Sequence, residues 1–322
     1  MSLKKLSAAL KKQNNFLVSA HTNLEGDAIG AEVAFFMLLR ALGKNAILMN
    51  SDRVPASYRF LPLLENIRKF HKGRFIPFDC LVLLDCSDLS RSGSIGGINL
   101  EGKTVINIDH HISNDYYGDI NWVLPHLSSA SEMVYLLYKK LGAPLNKDIA
   151  TLLYIGILTD TGSFRYSNTS ASTHKVVADL IDYGLDVVDI YRRIYEDIAF
   201  GDMQLLNRIV SLMRCDPSGK VIWCEIPRKL VKRNASLDIS EQVLGFTRAI
   251  KGAEAVLLFK ENLGTKNEIR VNFRSQGKVD VNKIAAFFGG GGHKTASGCT
   301  MKGTLAAVRK KVLAKVRQAL VK

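Results

Sequence analysis

The chain has 322 residues, of which 47% are hydrophobic and 8% aromatic, the composition of an ordinary globular protein with room for two cores. It contains no run of 18 apolar residues, and no long apolar segment follows the basic N-terminus, which argues against a membrane span and a signal peptide. The formal net charge is +14, and the whole excess lies in residues 201–322, since residues 1–200 contain 21 basic and 21 acidic side chains.

The uneven distribution of charge indicates which ligands each part of the chain would bind. A basic domain next to a neutral one favours an anionic polymer or a phosphate-rich ligand for the basic part. A lysine-rich, solvated surface explains the charge alone equally well. The five cysteines form no CxxC pair and leave an odd one, so they indicate reduced thiols and a cytoplasmic protein.

The first half of the sequence alternates between two kinds of segment. Short runs rich in Val, Ile and Leu predict strands: NFLVSAH, KNAILMN, DCLVLLDCS and KTVINIDHH. Segments with helical periodicity separate or follow them: GDAIGAEVAFFMLLRALG, SSASEMVYLLYKKLG and NKDIATLLYIGILTD. This alternation predicts an α/β domain with a parallel sheet and helices on both faces.

Ionisable side chains follow the ends of these elements. The first strand is followed by His21, Glu25 and Asp27, LVLL by Asp85, and VINI by Asp109, His110 and His111, while a helix ends at Asp160. Because ligands bind at the carboxyl ends of parallel strands, we expect these groups to converge. Clustered carboxylates and imidazoles are costly to desolvate without a cation, which favours Mn, Fe, Zn or Mg.

The number of candidate ligands exceeds what one ion requires, so two ions that share a carboxylate are favoured. Such pairs promote in-line displacement at phosphorus. Taken singly, Asp27 and Asp85 are equally well explained as helix caps or turn formers. Two other histidines, His71 and His126, are interpreted as ordinary surface or core residues.

The second half has a different pattern. A hairpin with its turn at 216–219, two further strands in AEAVLLFKEN and EIRVNFRSQG, and a closing amphipathic helix predict a smaller α/β domain. Helical segments, STHKVVADLIDYG and VVDIYRRIYEDIAF, precede it. We expect a metal-binding domain over 1–190, a helical linker over 191–204 and a substrate-binding domain over 205–322.

A glycine-rich segment, FFGGGGHKTASG, stands out in this second domain. Four glycines, Gly289, Gly290, Gly291 and Gly292, would expose backbone N–H groups and allow close approach of a ligand, and His293 and Lys294 would contact phosphate. Upstream, Arg270 and Arg274 lie four residues apart and project from one face of a strand. Together these features predict an anion site. No Walker motif is present, so ATP-driven activity is not supported.

The sequence resembles the DHH phosphoesterases, named for the Asp-His-His run found here at 109–111. The order of a His-x-Asn-x-acid-x-Asp segment, a strand-end Asp, DHH and a later Asp matches, and GGGGH is similar to the DHH-associated domain. The segments TDTGSFRYSNT and KVDVNKIAAFFGGGGHKTASG resemble the branch that contains nanoRNases and pAp phosphatases. The resemblance extends over nearly the whole chain.

The resemblance implies a role for each candidate residue. One manganese ion would be held by His21, Glu25 and Asp85, and a second by Asp27, Asp85, His110 and Asp160, with Mg²⁺ as a substitute. Three of the residues are implied to be catalytic: Asp85, His111 and Asp27. His111 would contact the scissile phosphate, and the rest of the nucleotide would be bound by residues of the second domain: Arg270, Arg274, Gly289, Gly290, Gly291, Gly292 and His293.

One position departs from the family pattern. The family usually has Asp where this chain has Glu25, and Pro where it has Leu24. The longer side chain has one more torsion to order. We expect Glu25 to ligate the first ion because Gly26 lets the loop adapt. The alternative is that Glu25 points to solvent or supports the ligands without contacting the ion itself.

The implied function is hydrolysis of very short RNA or DNA oligonucleotides to mononucleotides, with removal of the 3′-phosphate of pAp as a second activity. Alternatives are a RecJ-type single-strand exonuclease, an inorganic pyrophosphatase, and, in another class, a non-catalytic nucleic-acid-binding protein. The absence of appended nucleic-acid-binding domains disfavours the exonuclease. Strand-end acids disfavour the pure binder. A membrane partner is not expected, and a homodimer is compatible with the sequence.

Overall fold

A computed structural model describes residues 2–73, 75–230, 239–262 and 267–320. The chain divides into two compact units, Met1–Glu196 and Asp197–Lys322. This division falls within the predicted linker, and the domain limits at 190 and 205 stay predictions. The last two residues of the predicted C-terminal helix lie outside the described part.

The first unit is built on a six-stranded parallel sheet with strand order β3-β2-β1-β4-β5-β6. The strands are β1 (Asn15–Ala20), β2 (Asn45–Asn50), β3 (Ile67–Lys69), β4 (Cys80–Leu84), β5 (Thr104–Asp109) and β6 (Ile120–Val123). The helices are α1 (Ser2–Lys12), α2 (Gly26–Ala41), α3 (Ala130–Leu141), α4 (Lys147–Asp160), α5 (Ala171–Ile181) and α6 (Val187–Tyr191). The predicted parallel sheet is confirmed, and the sequence analysis missed only its short edge strands, β3 and β6.

The two faces of this sheet are covered differently. Alternate strand residues such as Phe16 and Val82 pack against α1 to α5 in one large core. The other face, including Leu17 and Leu81, packs in a smaller core against loops and the 3₁₀-helix Leu89–Gly97. Helical cover is therefore present on both sides, but on the second side it is a short 3₁₀ segment.

Glycines allow α2 and α4 to pack closely. A Cβ at Gly26 would collide with Thr159, and one at Gly30 would collide with the carbonyl of Leu152. Gly26 is the first residue of α2 rather than part of a flexible loop. The expectation that Gly26 lets the loop adapt is therefore wrong, because this glycine is needed for helix contact.

The second unit contains a six-stranded mixed sheet with strand order β11-β12-β10-β9-β8-β7. Its strands are β7 (Arg214–Cys215), β8 (Val221–Ile226), β9 (Ala255–Glu261), β10 (Glu268–Ser275), β11 (Gly291–Gly292) and β12 (Ala296–Lys302). Its helices are α7 (Phe200–Ser211), α8 (Ile239–Arg248), α9 (Val281–Phe287) and α10 (Leu305–Leu320). One face packs against α9 and α10 and the other against α7 and α8.

Candidate metal centre

The predicted strand-end residues of the first unit lie at the carboxyl edge of its sheet. β1, β4 and β5 are adjacent and parallel, so their ends meet at this edge. The order reverses between β1 and β4, since β2 and β3 lie on one side and β5 and β6 on the other. Such a reversal opens a crevice in which ligands bind.

His21 enters this crevice directly after β1. Its Nδ1 lies 2.6 Å from the carbonyl oxygen of Thr22, which places the proton on Nδ1 in the neutral ring. Nε2 then faces two carboxylates, with Asp85 Oδ2 at 3.3 Å and Glu25 Oε1 at 3.5 Å. A histidine held in this way through one nitrogen is oriented to ligate a metal through the other.

Glu25 joins the cluster from the start of α2. Its side chain is 59% exposed, and its carboxylate makes no capping hydrogen bond to the helix. The preceding Leu24 is buried in the large core. The exposed side chain nevertheless reaches His21, which is the geometry expected of a ligand at the rim of a site.

Asp85 occupies the centre of the cluster. It follows β4 in a left-handed conformation with φ of 51°, which costs an L-residue about 1–2 kcal/mol, although Asp tolerates it better than most. Its N–H donates to the carbonyl of Ile108, 3.0 Å away, which ties it to β5. The carboxylate is thereby placed between His21 on one side and His110 on the other.

His110 is surrounded by three carboxylates. Its Nε2 lies 3.5 Å from Asp85 Oδ1, 3.7 Å from Asp27 Oδ2 and 3.7 Å from Asp160 Oδ2. Its Nδ1 lies 3.4 Å from the carbonyl oxygen of Leu127. Like His21, it turns Nε2 toward the acids.

Asp27 caps a helix and also faces the cluster. Its two carboxylate oxygens accept hydrogen bonds from the N–H groups of Ala130 and Ser131, at 2.7 and 2.8 Å, in the first turn of α3. The positive end of the helix dipole favours this negative charge. The capping alternative is therefore observed for Asp27, and it leaves Oδ2 close to His110.

His111 pairs with Asp109 and also lies close to Asp85, whose Oδ1 is 3.5 Å from its Nδ1. The Nδ1 of His111 lies 2.7 Å from Asp109 Oδ1, and the other oxygen of Asp109 accepts from Asn114 at 2.5 Å. Burial opposes ionisation of Asp109, but the charge and hydrogen bond of His111 outweigh it and lower its pKa to about 2. The imidazole of His111 is thus oriented through Nδ1.

The acids draw protons onto the two histidines of the cluster. Burial opposes protonation of His21, but the neighbouring carboxylates of Asp85 and Glu25 outweigh it and raise its pKa to about 10. Burial likewise opposes ionisation of Asp85, yet the neighbouring imidazoles of His110 and His21 hold its pKa well below the usual range. Burial and the nearby Asp85 charge raise the pKa of Asp27 to about 6. The cluster therefore attracts positive charge.

Three groups of donor atoms in the described residues include Asp85, and one of them joins it to Asp109 and His111. The donor atoms of His21, Glu25 and Asp85 lie within 4.8 Å of one another, and so do those of Asp27, Asp85 and His110. Asp160 lies near His110 but is not a member of this second set. The seven other residues that were predicted at the ends of strands or of a helix thus lie around Asp85: His21, Glu25, Asp27, Asp109, His110, His111 and Asp160.

The predicted phosphate-binding residues lie in the second unit. Arg270 and Arg274 both belong to β10 and alternate with buried residues, as predicted, on one face. An Nη1 atom of Arg274 donates to the carbonyl of Phe273, and that of Arg270 lies near Thr300.

The glycine segment at 289–292 is largely bound to its own domain. The N–H groups of Gly289 and Gly290 donate to Ala286 and Ala285 at the end of α9, and that of His293 donates to Ala296. A Cβ at Gly290 would collide with Gly298, so this glycine is needed for close packing against β12. The expectation that the glycine N–H groups face a ligand is wrong for Gly289 and Gly290.

Asn168 was missed in the sequence analysis. Its side-chain amide donates to Asp160 Oδ2 at 3.1 Å, to the Asp160 carbonyl at 3.2 Å and to the Ser128 carbonyl at 2.9 Å. Three successive left-handed residues, at 162–164, return the chain from α4 to this position. The only local sequence signal for Asn168 is the segment of small and polar residues TGSFRYSNT, and the contacts of that segment depend on the fold.

Across the described part of the chain, no helix combines the length and the apolar character needed to cross a membrane.

Comparisons with known proteins give matches over both halves of the chain. The family model described as the DHH family, N-terminal domain, matches residues 15–157, and the DHHA1 domain model matches residues 219–322. The chain is 33% identical, over 94% of its length and 89% of the relative, to the bifunctional oligoribonuclease and PAP phosphatase NrnA of Thermus thermophilus. It is 24% identical to the probable enzyme of the same name in Streptococcus mutans, with 92% and 93% of the two chains covered.

A solved structure has the same fold. The exopolyphosphatase-related protein of Bacteroides fragilis superposes with a TM-score of 0.87 at 24% identity, covering 100% of this chain and 98% of that one.

Proposed function

This chain belongs to the DHH family, and we propose that it is a manganese-dependent phosphodiesterase that hydrolyses short oligonucleotides to mononucleotides and also removes the 3′-phosphate of pAp. The observation that carries the proposal is that Asp85 belongs both to the donor set of His21 and Glu25 and to that of Asp27 and His110. The names of the Thermus and Streptococcus relatives support the substrate class.

The residues present fit divalent metal ions. Within the described residues, His21 Nε2 and Asp85 Oδ1 are buried without a hydrogen-bond partner, and burying such atoms is costly unless a ligand satisfies them. A set of imidazole nitrogens and carboxylate oxygens suits Mn²⁺, and Mg²⁺ as a substitute. His21, Glu25 and Asp85 would hold one ion, and Asp27, Asp85, His110 and Asp160 a second. When bound, such ions polarise phosphoryl oxygens and acidify water.

The chain prepares this chemistry by fixing its donors. Backbone carbonyls at Thr22 and Leu127 hold the rings of His21 and His110 through Nδ1, so both turn Nε2 toward the acids. The first turn of α3 fixes both oxygens of Asp27. Donors held in this way need little reorganisation during the reaction. Such preorganisation is the main source of electrostatic catalysis.

His111 is proposed to contact the phosphate. Asp109 holds Nδ1 and stays ionised, which fixes the orientation of the ring, and we assign Nε2 to a phosphoryl oxygen. This assignment separates His111, a substrate-binding residue, from its neighbour His110, a ligand.

We assign the rest of the nucleotide to the second domain. The excess charge of residues 201–322 and the shared face of Arg270 and Arg274 support an anion site there. We keep Gly291, Gly292 and His293 in this proposal, while Gly289 and Gly290 contribute through backbone shape. A cytoplasmic location is also proposed, because Cys80, Cys86, Cys215, Cys224 and Cys299 are free thiols.

A direct assay tests the proposal. The protein is incubated with a labelled dinucleotide and with pAp in the presence of Mn²⁺, of Mg²⁺ and of a chelator, and mononucleotide and phosphate are measured. We expect turnover with Mn²⁺, less with Mg²⁺ and none with the chelator.

Substrate length separates the alternatives. We expect 2-mers to be hydrolysed faster than 20-mers, while a clear preference for the 20-mer would favour a RecJ-type exonuclease. Binding of oligonucleotides without hydrolysis under any metal condition would favour a non-catalytic nucleic-acid-binding protein. Release of phosphate from pyrophosphate alone would favour a pyrophosphatase.

A further inference from the structure

Arg91 lies between the two loops that build the metal centre. It belongs to the 3₁₀-helix Leu89–Gly97, which follows the loop after β4. The N–H of Thr22, next to His21, donates to the carbonyl of Arg91 at 2.7 Å. The N–H of Arg91 in turn donates to Asp88 Oδ1 at 3.1 Å. Its backbone is therefore fixed at the crevice by both loops.

Gly93 holds this short helix tightly against the loop after β1. Its φ of 64° and ψ of −128° are not helical and form a kink that divides Leu89–Gly97 into two short 3₁₀ segments, and a Cβ there would collide with Thr22 and Ser51. The Ser51 hydroxyl donates to the Ser92 carbonyl at 2.7 Å, and Ile95 is fully buried beneath the helix. Backbone contacts and packing thus place Arg91, without help from its guanidinium.

The guanidinium itself has few partners. Its Nη1 donates to Ser87 Oγ at 3.2 Å, two residues after Asp85. Within the described residues Arg91 forms no ion pair, although it lies in a crevice lined with carboxylates. Loss of water around the Glu25 carboxylate raises its pKa, but the neighbouring His21 and, more weakly, the charge of Arg91 lower it.

We propose that Arg91 binds the phosphate that is cleaved, through the guanidinium N–H groups that Ser87 leaves unused. A guanidinium has five N–H donors in a planar fork that matches two phosphate oxygens, and such bonds are among the strongest hydrogen bonds in proteins. The site is otherwise acidic, and an anionic substrate needs compensating positive charge. The nature of the phosphate's carrier, a short oligonucleotide, rests on the proposed function.

Removing one such donor from a preorganised site slows catalysis by roughly 100-fold to 1,000-fold. We expect Arg91→Gln to lower kcat/KM on the dinucleotide pUpU by about 100-fold, and Arg91→Lys, which keeps the charge but loses the fork, by about 10-fold. Inorganic phosphate should bind the Mn²⁺-loaded Arg91→Gln protein about 10-fold more weakly.

The matched control is Arg40→Gln. Arg40 lies near the far end of α2, whose 16 residues span about 24 Å from the metal centre. This variant loses the same charge from the same domain and should keep the kcat/KM and phosphate affinity of the parent protein. Mn²⁺ titrations and thermal melts of all three variants should match those of the parent.

Two results would overturn the proposal. The first is phosphate affinity and kcat/KM unchanged in Arg91→Gln. The second is loss of one Mn²⁺ site in Arg91→Gln with normal phosphate binding, which would make Arg91 a residue that supports Glu25. If the parent protein failed to cleave pUpU but bound phosphate in an Arg91-dependent way, the proposed function would be wrong and the phosphate contact would stand.

Discussion

The metal centre and the glycine segment satisfy their polar groups in opposite ways. In the metal centre, carboxylates and imidazoles from several elements face one another at 3.3–3.7 Å, and buried atoms such as His21 Nε2 lack a hydrogen bond within the described residues. In the glycine segment, N–H groups such as those of Gly289 and Gly290 donate within their own domain. The first region is built to receive a cation, and the second is held in shape before any ligand arrives.

This difference indicates how the two regions respond to substitution. Loss of one donor in the metal centre removes a ligand and leaves the opposing charges uncompensated. Loss of one contact on the exposed face of the second domain removes only part of a binding surface. We therefore expect catalytic losses in the first region and affinity losses in the second.

The largest effect is expected for Asp85→Ala. Because Asp85 belongs to both donor sets, we expect turnover of a dinucleotide with Mn²⁺ to fall at least ~10⁴-fold, as when an essential catalytic group is removed. The control is Asp79→Ala, at the opposite end of β4, where the exposed carboxylate contacts Asn15. Near-parent activity in Asp85→Ala would exclude a shared ligand.

A second large effect is expected for His111→Ala, which should separate catalysis from metal binding. Its Nδ1 is held by Asp109, so its loss should lower kcat by about 100–1,000-fold while two Mn²⁺ ions still bind. Metal analysis of the purified variant decides between the roles, and the exposed His126→Ala is the control. A variant that binds only one ion would identify His111 as a ligand.

An intermediate effect is expected for Arg274→Gln in the second domain. A lost charge-assisted contact to a nucleotide phosphate is worth about 1.5–3 kcal/mol, so KM should rise roughly 10-fold or more with kcat nearly unchanged. Arg214→Gln, on the edge strand β7 of the same sheet, is the control and should behave like the parent. A fall in kcat at constant KM would contradict the division between the two regions.

The smallest effect is expected for Glu25→Gln. Glu25 is exposed at the rim of its donor set, and His21 and Asp85 remain there, so we expect about 10-fold weaker Mn²⁺ binding at one site and no change at the other. A Mn²⁺ titration monitored by electron paramagnetic resonance measures both. Glu101→Gln, on an exposed turn, is the control. Two unaltered sites in Glu25→Gln would show that Glu25 points to solvent.

The four central strands of the first sheet and most of the candidate site are predictable from the sequence. Apolar runs define β1, β2, β4 and β5 because a strand buried on both faces needs continuous hydrophobic side chains. Asp85 and His110 directly follow strands in the sequence, so they must lie at the carboxyl ends of those strands. The edge strands β3 and β6 were missed because three or four residues give no clear pattern and depend on pairing with a neighbour.

The contacts among these groups follow from how the domain folds and cannot be predicted from chain order. The strand order places β4 between β1 and β5, which puts Asp85 between His21 and His110. Asp27 receives its hydrogen bonds from α3, about a hundred residues later, and Asn168 reaches Asp160 only through a left-handed turn. Gly26, expected to give flexibility, instead allows contact between α2 and α4. These contacts join residues that are far apart in the sequence. The sequence gives the chemical type of each side chain, whereas the distance between two side chains depends on the packing of the whole domain.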